Sequence, residues 1–177
     1  NIKITHKISS LFARIYSKPK NKYILSTKLP FCSLISVTEK KKEFYKFENY
    51  WIKKKDVVPI SYKKQTFKKI IIFKDIPYKW GGKTYKGIDC SALVQIFFKF
   101  NNQYCPRDTK DQIKYFKKPN NIKKNAIIFW KGHVAVCLTK TLLIHAYGPK
   151  KKVLFMNVKK TIKLIKKTAK LKVIGIR

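Results

Sequence analysis

Arginine is nearly absent from this strongly basic chain. Of its 43 Lys and Arg residues only Arg14, Arg107 and Arg177 are arginine. Sequence-specific recognition of phosphate and base edges leans on the bidentate guanidinium fork. That scarcity, with no RNA-binding motif in the chain, argues against specific nucleic-acid recognition. Acid is scarce as well: 8 Asp and Glu leave a formal net charge of +35. No apolar run reaches the ~18 residues that cross a bilayer, and Leu11-Phe12-Ala13 is too short for a signal-peptide core. The four cysteines, Cys32, Cys90, Cys105 and Cys137, form no CxxC pair, which argues against a zinc ribbon. No metal or cofactor is expected.

What is present is a globular composition. The 177 residues are 45% hydrophobic and 14% aromatic, enough to bury a core. Residues 1–65 carry +12 and residues 66–177 carry +23, so the charge is spread along the whole chain. An even Lys surplus with almost no Arg reads as coding bias, although adhesion to anionic polymers is expected whatever its origin. Cys32, Cys105 and Cys137 read as buried small apolar residues. The chain begins at Asn1, which leaves the compartment open. Without a signal-peptide core, a cytoplasmic setting is expected over export.

Residues 1–20, with Ile2, Ile4 and Ile8, read as a lead-in with one short strand. From 23 to 60, Tyr23-Ile24-Leu25, Leu34–Val37, Phe44–Phe47 and Tyr50-Trp51-Ile52 read as short strands between polar turns, the pattern of a small β-barrel. Ile70–Phe73 is expected to begin a helix in the second domain. The run after Cys90, with Leu93, Val94, Ile96, Phe97, Phe98 and Phe100, is apolar on more than one face and reads as a buried central helix. A second helix opens at Pro106-Arg107-Asp108-Thr109, where Asp108 or Thr109 can cap. Strands follow at 126–130, 133–138 and 142–147, the last two joined as a hairpin, then at 153–156 and 173–176, with a Lys-rich stretch at 159–170. Helices followed by antiparallel strands give an α+β fold. Two domains are expected, 1–62 and 63–177.

The chemistry concentrates at Cys90. A glycine-rich loop ends at Asp89-Cys90-Ser91 and a helix begins. A thiol in the first turn of a helix feels the positive end of the dipole, which is expected to lower its pKa from about 8.5. It then needs a base. His133 and His145 lie on the two strands of the hairpin, and strand alternation lets the register bring them together on one face. A thiol, an imidazole and a second polar group that fixes the imidazole tautomer make a nucleophilic site. His6, near the N-terminus, is assigned no role.

Five segments then carry a resemblance. Pro77-Tyr78-Lys79-Trp80-Gly81-Gly82, Gly87-Ile88-Asp89-Cys90-Ser91-Ala92-Leu93-Val94-Gln95, Pro106-Arg107-Asp108-Thr109-Lys110-Asp111-Gln112, Ile128-Phe129-Trp130-Lys131-Gly132-His133-Val134-Ala135 and Leu143-Ile144-His145-Ala146 resemble, in order, the NlpC-type cell-wall cysteine peptidases. The region 23–60 is similar to the bacterial SH3-like module that often precedes that domain. The resemblance implies a papain-like α+β catalytic domain, its central helix packed on an antiparallel sheet, preceded by a small SH3-like β-barrel. It implies Cys90 as nucleophile, His133 as base and His145 as orienting residue. It implies peptidoglycan stem peptides or muropeptide fragments as substrate, cut between γ-linked D-glutamate and the diamino acid by a monomer. By the same analogy Asp89, Ser91, Asp108, Thr109 and Tyr50 touch the peptide.

Two departures stand out. Asn125-Ala126 replaces the Gly-Asp that relatives carry before the strand leading to the base. Ser33 stands where relatives carry an acidic residue for the substrate amine, so Asp89 is expected to hold that amine alone. Three other readings remain at this point: a wall-binding protein without activity, a basic nucleic-acid-binding protein, and an acyltransferase on the same scaffold.

Overall fold

The computed structural model describes residues 3–119 and 121–177; Ile2 lies outside them. The chain divides into two compact units, Asn1–Lys64 and Gln65–Arg177.

The first unit is all β. Its strands are β1 (His6–Ile8), β2 (Phe12–Tyr16), β3 (Ile24–Pro30), β4 (Leu34–Ile35), β5 (Val37–Lys41), β6 (Phe44–Phe47), β7 (Tyr50–Lys53) and β8 (Val57–Pro59). The expected lead-in with one strand is in fact two, β1 and β2. The strands form an antiparallel five-stranded sheet in the order β3-β2-β7-β6-β5 and a three-stranded sheet, β4-β1-β8. Ile8, Ala13, Ile15, Ile35, Phe47, Ile52 and Val57 make the core. Among the described residues no pairing joins β3 to β5, so the strands do not close into the expected barrel.

The second unit mixes helices with an antiparallel sheet. The Ile70–Phe73 segment forms a short 3₁₀ turn, not the start of a helix. Two short strands, β9 (Lys83–Thr84) and β10 (Gly87–Ile88), lead into α1 (Cys90–Phe100). Gly82 and Gly87 meet here: a Cβ on Gly82 would lie 2.5 Å from the Gly87 carbonyl oxygen. Only glycine allows this approach, which delivers the chain to the start of α1. α1 packs on the sheet, with Leu93, Val94, Phe97 and Phe100 buried, as the apolar run predicts.

After α2 (Thr109–Tyr115) come β11 (Ile127–Trp130), β12 (His133–Cys137), β13 (Leu142–Tyr147), β14 (Lys152–Asn157), α3 (Val158–Ala169) and β15 (Val173–Ile176). The sheet order is β14-β13-β12-β11-β15. Every residue of β11 is buried, as expected for a central strand covered on both faces. α3 forms from the Lys-rich stretch. It turns Val158, Thr161 and Ile165 inward and Lys159, Lys160, Lys163, Lys166 and Lys167 outward, and Asn157 caps it by accepting from the Lys160 N–H. Asn125 has φ +68°, and Asn is one of the few residues that tolerates this region; it can therefore stand where relatives carry glycine.

Candidate active site

Cys90 is the first residue of α1, and Asp89 is its N-cap. The Asp89 carboxylate accepts from the Ala92 N–H at 2.8 Å and, through its other oxygen, from the Gly81 N–H at 2.9 Å. Arg107 donates to both oxygens through its two terminal nitrogens, and Ser91 Oγ donates to one at 3.2 Å. Five donors thus converge on a carboxylate that is 5% exposed. Burial acts to raise its pKa, but the Arg107 guanidinium and the backbone N–H groups hold it below the usual carboxylate range. The amine-binding role expected of Asp89 therefore meets a carboxylate already filled by protein donors.

Arg107 also donates to Ser91 Oγ at 2.8 Å, and the buried Gln112 donates from Nε2 to the carbonyls of Ser91 and Pro106. α2 is in this way tied to the first turn of α1. Asp108 is the N-cap of α2 by position, without a side-chain capping bond, and Thr109 opens that helix. Tyr50, the exposed first residue of β7, belongs to the first unit, where its ring lies 6.1 Å from that of Phe47.

The base side is built by the β11–β12 turn. Trp130 pairs with His133, so Lys131 and Gly132 form a two-residue loop, with Gly132 at φ +75°. His133 stands at the start of β12. His145, on β13, is fully buried, and its Nδ1 lies 2.9 Å from His133 Nε2, so the register that strand alternation left open brings the two histidines together. On its other side His145 Nε2 lies 3.2 Å from Met156 Sδ, and the Tyr147 ring stacks on the imidazole at 4.7 Å.

This order fixes the protons. A thioether sulfur only accepts. His145 must then carry its hydrogen on Nε2 and accept through Nδ1, and His133 must donate from Nε2. His133 Nδ1 is left with a bare lone pair, and among the described residues nothing hydrogen-bonds to it. Met156, on β14, is the site residue least visible in sequence.

Cys90 Sγ lies 4.0 Å from the Gly132 carbonyl oxygen, and the Val134 N–H also points to the sulfur. The thiol thus sits against the backbone on either side of His133. No hydrogen bond joins it to the His133 ring. The dipole argument predicts a lowered thiol pKa; burial overrides it and pushes Cys90 up to about 11. Burial pulls His133 down to about 4, and burial followed by the neighbouring His133 pulls His145 down to about 3. The resting site holds a neutral thiol and neutral imidazoles. Tyr78 is half-buried nearby, its phenol pushed up by burial first and then by Cys90 and Asp89.

The His145 shift has a consequence for stability. The unfolded histidine takes up a proton near pH 6.5, while the folded one resists down to about 3. The contribution from neutral burial is complete above pH 6.5 and is lost as pH falls toward 3, by up to about 1.4 kcal/mol per pH unit. Urea unfolding at pH 7, 6, 5 and 4 is expected to show this loss, and the variant His145→Asn to show a shallower one. Equal slopes for the two proteins would contradict a buried neutral His145.

Residues 75–170 match the NlpC/P60 family. The chain belongs to that family. Gamma-D-glutamyl-L-lysine dipeptidyl-peptidase of Bacillus subtilis (strain 168) is 28% identical over 152 residues, 76% of this chain and 51% of that protein. Dipeptidyl-peptidase 6 of Lysinibacillus sphaericus is 37% identical over 73 residues, 40% of this chain and 27% of that protein. The chain spans about half the length of the first and about a quarter of the second. The crystal structure of an NlpC/P60 family protein from Bacillus cereus ATCC 10987 has the same fold, with a TM-score of 0.78 at 18% identity over 99% of this chain and 63% of that one. Within the NlpC/P60 chain described here, no helix among the described residues is long and apolar enough to cross a membrane.

Proposed function

We propose that this chain is a cysteine peptidase that cleaves peptidoglycan-derived peptides between γ-D-glutamate and the diamino acid, with Cys90, His133 and His145 as its triad. The observation that carries the chemistry is the proton order from Met156 through His145 to His133, which leaves a bare Nδ1 on the residue whose flanking backbone holds the Cys90 sulfur. The substrate class is supported by the family and by the names of the two dipeptidyl-peptidases.

In this mechanism the thiol–imidazole contact tightens as the peptide binds. Cys90 Sγ attacks the γ-carbonyl carbon while His133 Nδ1 takes the thiol proton. The N–H groups at the start of α1 face the developing oxyanion. His133 returns the proton to the leaving amine, the C–N bond breaks and a thioester remains. Water, deprotonated by His133, then hydrolyses the thioester and regenerates the thiol. His145 holds the ring and spreads the charge of the transient imidazolium. Ser91, Asp108 and Thr109 stand beside the nucleophile or on the neighbouring loop and are the proposed peptide contacts there. The first unit is proposed as an SH3-like module that selects peptides through Tyr50, and recycling of wall fragments within the cell is the proposed setting.

The test is incubation with L-Ala-γ-D-Glu-diaminopimelate and L-Ala-γ-D-Glu-lysine, free and N-acetylated, with mass analysis. Release of the free diamino acid is expected, and no cleavage of any γ-D-glutamyl bond would overturn the proposal. The pH profile adds a second check. His133 acts as a base only when unprotonated, so kcat/KM is expected to hold down to an acid limb near pH 4 wherever circular dichroism shows the fold intact. A limb near pH 6.5 in the folded enzyme would mean a solvent-exposed histidine and a different base.

A further inference from the structure

The hydrogen bond between His133 and His145 has no direction of its own. Two neutral imidazoles bond equally well with His133 Nε2 or His145 Nδ1 as the donor. In the first order His133 Nδ1 is bare and can take the thiol proton; in the second it carries a hydrogen and cannot. The group that decides must lie behind His145. That ring is fully buried and stacked on Tyr147, so the place of its hydrogen is the freedom that remains. A carboxylate is the usual device in a triad, but none of the strands β11 to β15 contains Asp or Glu. Among the described residues His145 Nε2 meets one polar partner, Met156 Sδ at 3.2 Å. Met156 is the sole methionine of the chain. It stands opposite Leu143 in the β13–β14 register, diagonal to His145 on the same face. Its side chain packs against the core cluster that includes Val158 and Ile165 of α3, which holds the sulfur in place.

We propose that Met156 is a positioning residue for the reaction: its sulfur, which accepts and cannot donate, sets the His145–His133 bond in the productive direction. This inference rests on the peptidase reading above. A methionine in a core is ordinarily a space-filler, and a leucine fills nearly the same volume. Here the two differ in one decisive atom. With leucine, the productive order leaves the His145 Nε2–H buried without an acceptor. The reversed order leaves only a lone pair unmatched. An unpaired buried N–H is the costlier of the two. The reversed order is then favoured, and His133 presents an N–H at Nδ1 where the thiol needs a base.

Long-range ¹⁵N–¹H spectra of the folded protein at pH 7 read which ring nitrogen of each of its three histidines carries hydrogen. In the wild type His133 and His145 are both expected to carry it on Nε2. In Met156→Leu both hydrogens are expected to move to Nδ1. With L-Ala-γ-D-Glu-diaminopimelate, kcat of that variant is expected to fall about tenfold while KM stays within about twofold and the circular dichroism spectrum is unchanged. Met156→Glu returns a group that, ionised, only accepts, and is expected to restore the Nε2 hydrogens and most of kcat. A packing role alone gives the opposite ranking, because leucine keeps the apolar volume and a carboxylate does not. Nδ1 hydrogens in the wild type, unmoved hydrogens in Met156→Leu, or a kcat of Met156→Leu within twofold of the wild type would overturn the role. If the wild type does not cleave the peptide, the peptidase reading fails, while the spectra still decide whether Met156 sets the order.

Discussion

The variant Cys90→Ala is expected to lose hydrolysis by about 10⁴-fold or more while keeping its fold. Removing the nucleophile of a triad leaves only the rate supplied by binding and by the oxyanion donors. No other thiol can take its place. Of the four cysteines only Cys90 stands in the first turn of α1 with its sulfur against the backbone that flanks His133. The structural cost is small, because the change removes one sulfur from a buried helix terminus whose cap, Asp89, is retained; about 1 kcal/mol covers it. The readouts are release of the diamino acid by mass analysis and thermal unfolding followed by circular dichroism. Activity within tenfold of the wild type, in protein freed of contaminating peptidase, would remove Cys90 from the mechanism.

Much of this site was legible because its chemistry is local in sequence. The Gly-rich loop and the apolar run fix the start of α1 at Cys90, and period-two alternation allows His133 and His145 to share a face once the hairpin register is set. What was not legible depends on distant pairings. Met156 reaches His145 only because β14 lies beside β13, with His145 opposite Leu154 in the register. Arg107 was visible within a motif, but its partner Asp89 is set by the packing of α2 against α1. A signal for it did exist: where nearly every cation is lysine, an arginine marks a place that needs the planar fork. α3 was hidden by its lysines, although Val158, Thr161 and Ile165 already follow helical spacing. The Cys90 pKa failed for a different reason. The helix dipole is a sequence-level inference, but burial is a property of the folded site, and burial is the larger effect here. In the first unit, alternation located strands without revealing that they pair into two sheets that stay open.

The second large effect is expected at Arg107. Its guanidinium grips both oxygens of Asp89 and also holds Ser91, so one side chain supports the residues on either side of the nucleophile. Arg107→Ala leaves the Asp89 carboxylate buried with only its backbone and Ser91 donors. Removing one partner from a buried pair costs about 3–5 kcal/mol. Arg107 is partly open to solvent, with 26% of its side chain exposed, so a loss of about 2–4 kcal/mol is expected. For a unit of this size that lowers Tm by roughly 10 °C. The pH dependence identifies the cause. In the wild type the Asp89 pKa is depressed, so its contribution is present above the unfolded value near 3.8 and is lost as pH falls through the folded value. Without the guanidinium the largest remaining influence is burial, which acts to raise the pKa against the Ala92 and Gly81 N–H groups. The variant's deficit is then expected to be largest near pH 7 and to shrink as pH falls and Asp89 takes up a proton. Arg107→Lys keeps the charge but loses the fork, so its deficit is expected to lie between wild type and Arg107→Ala. Activity should fall with stability, because Asp89 caps the helix turn that presents Cys90. A Tm within 2 °C of wild type for Arg107→Ala would show that the pair does not hold the start of α1 in place.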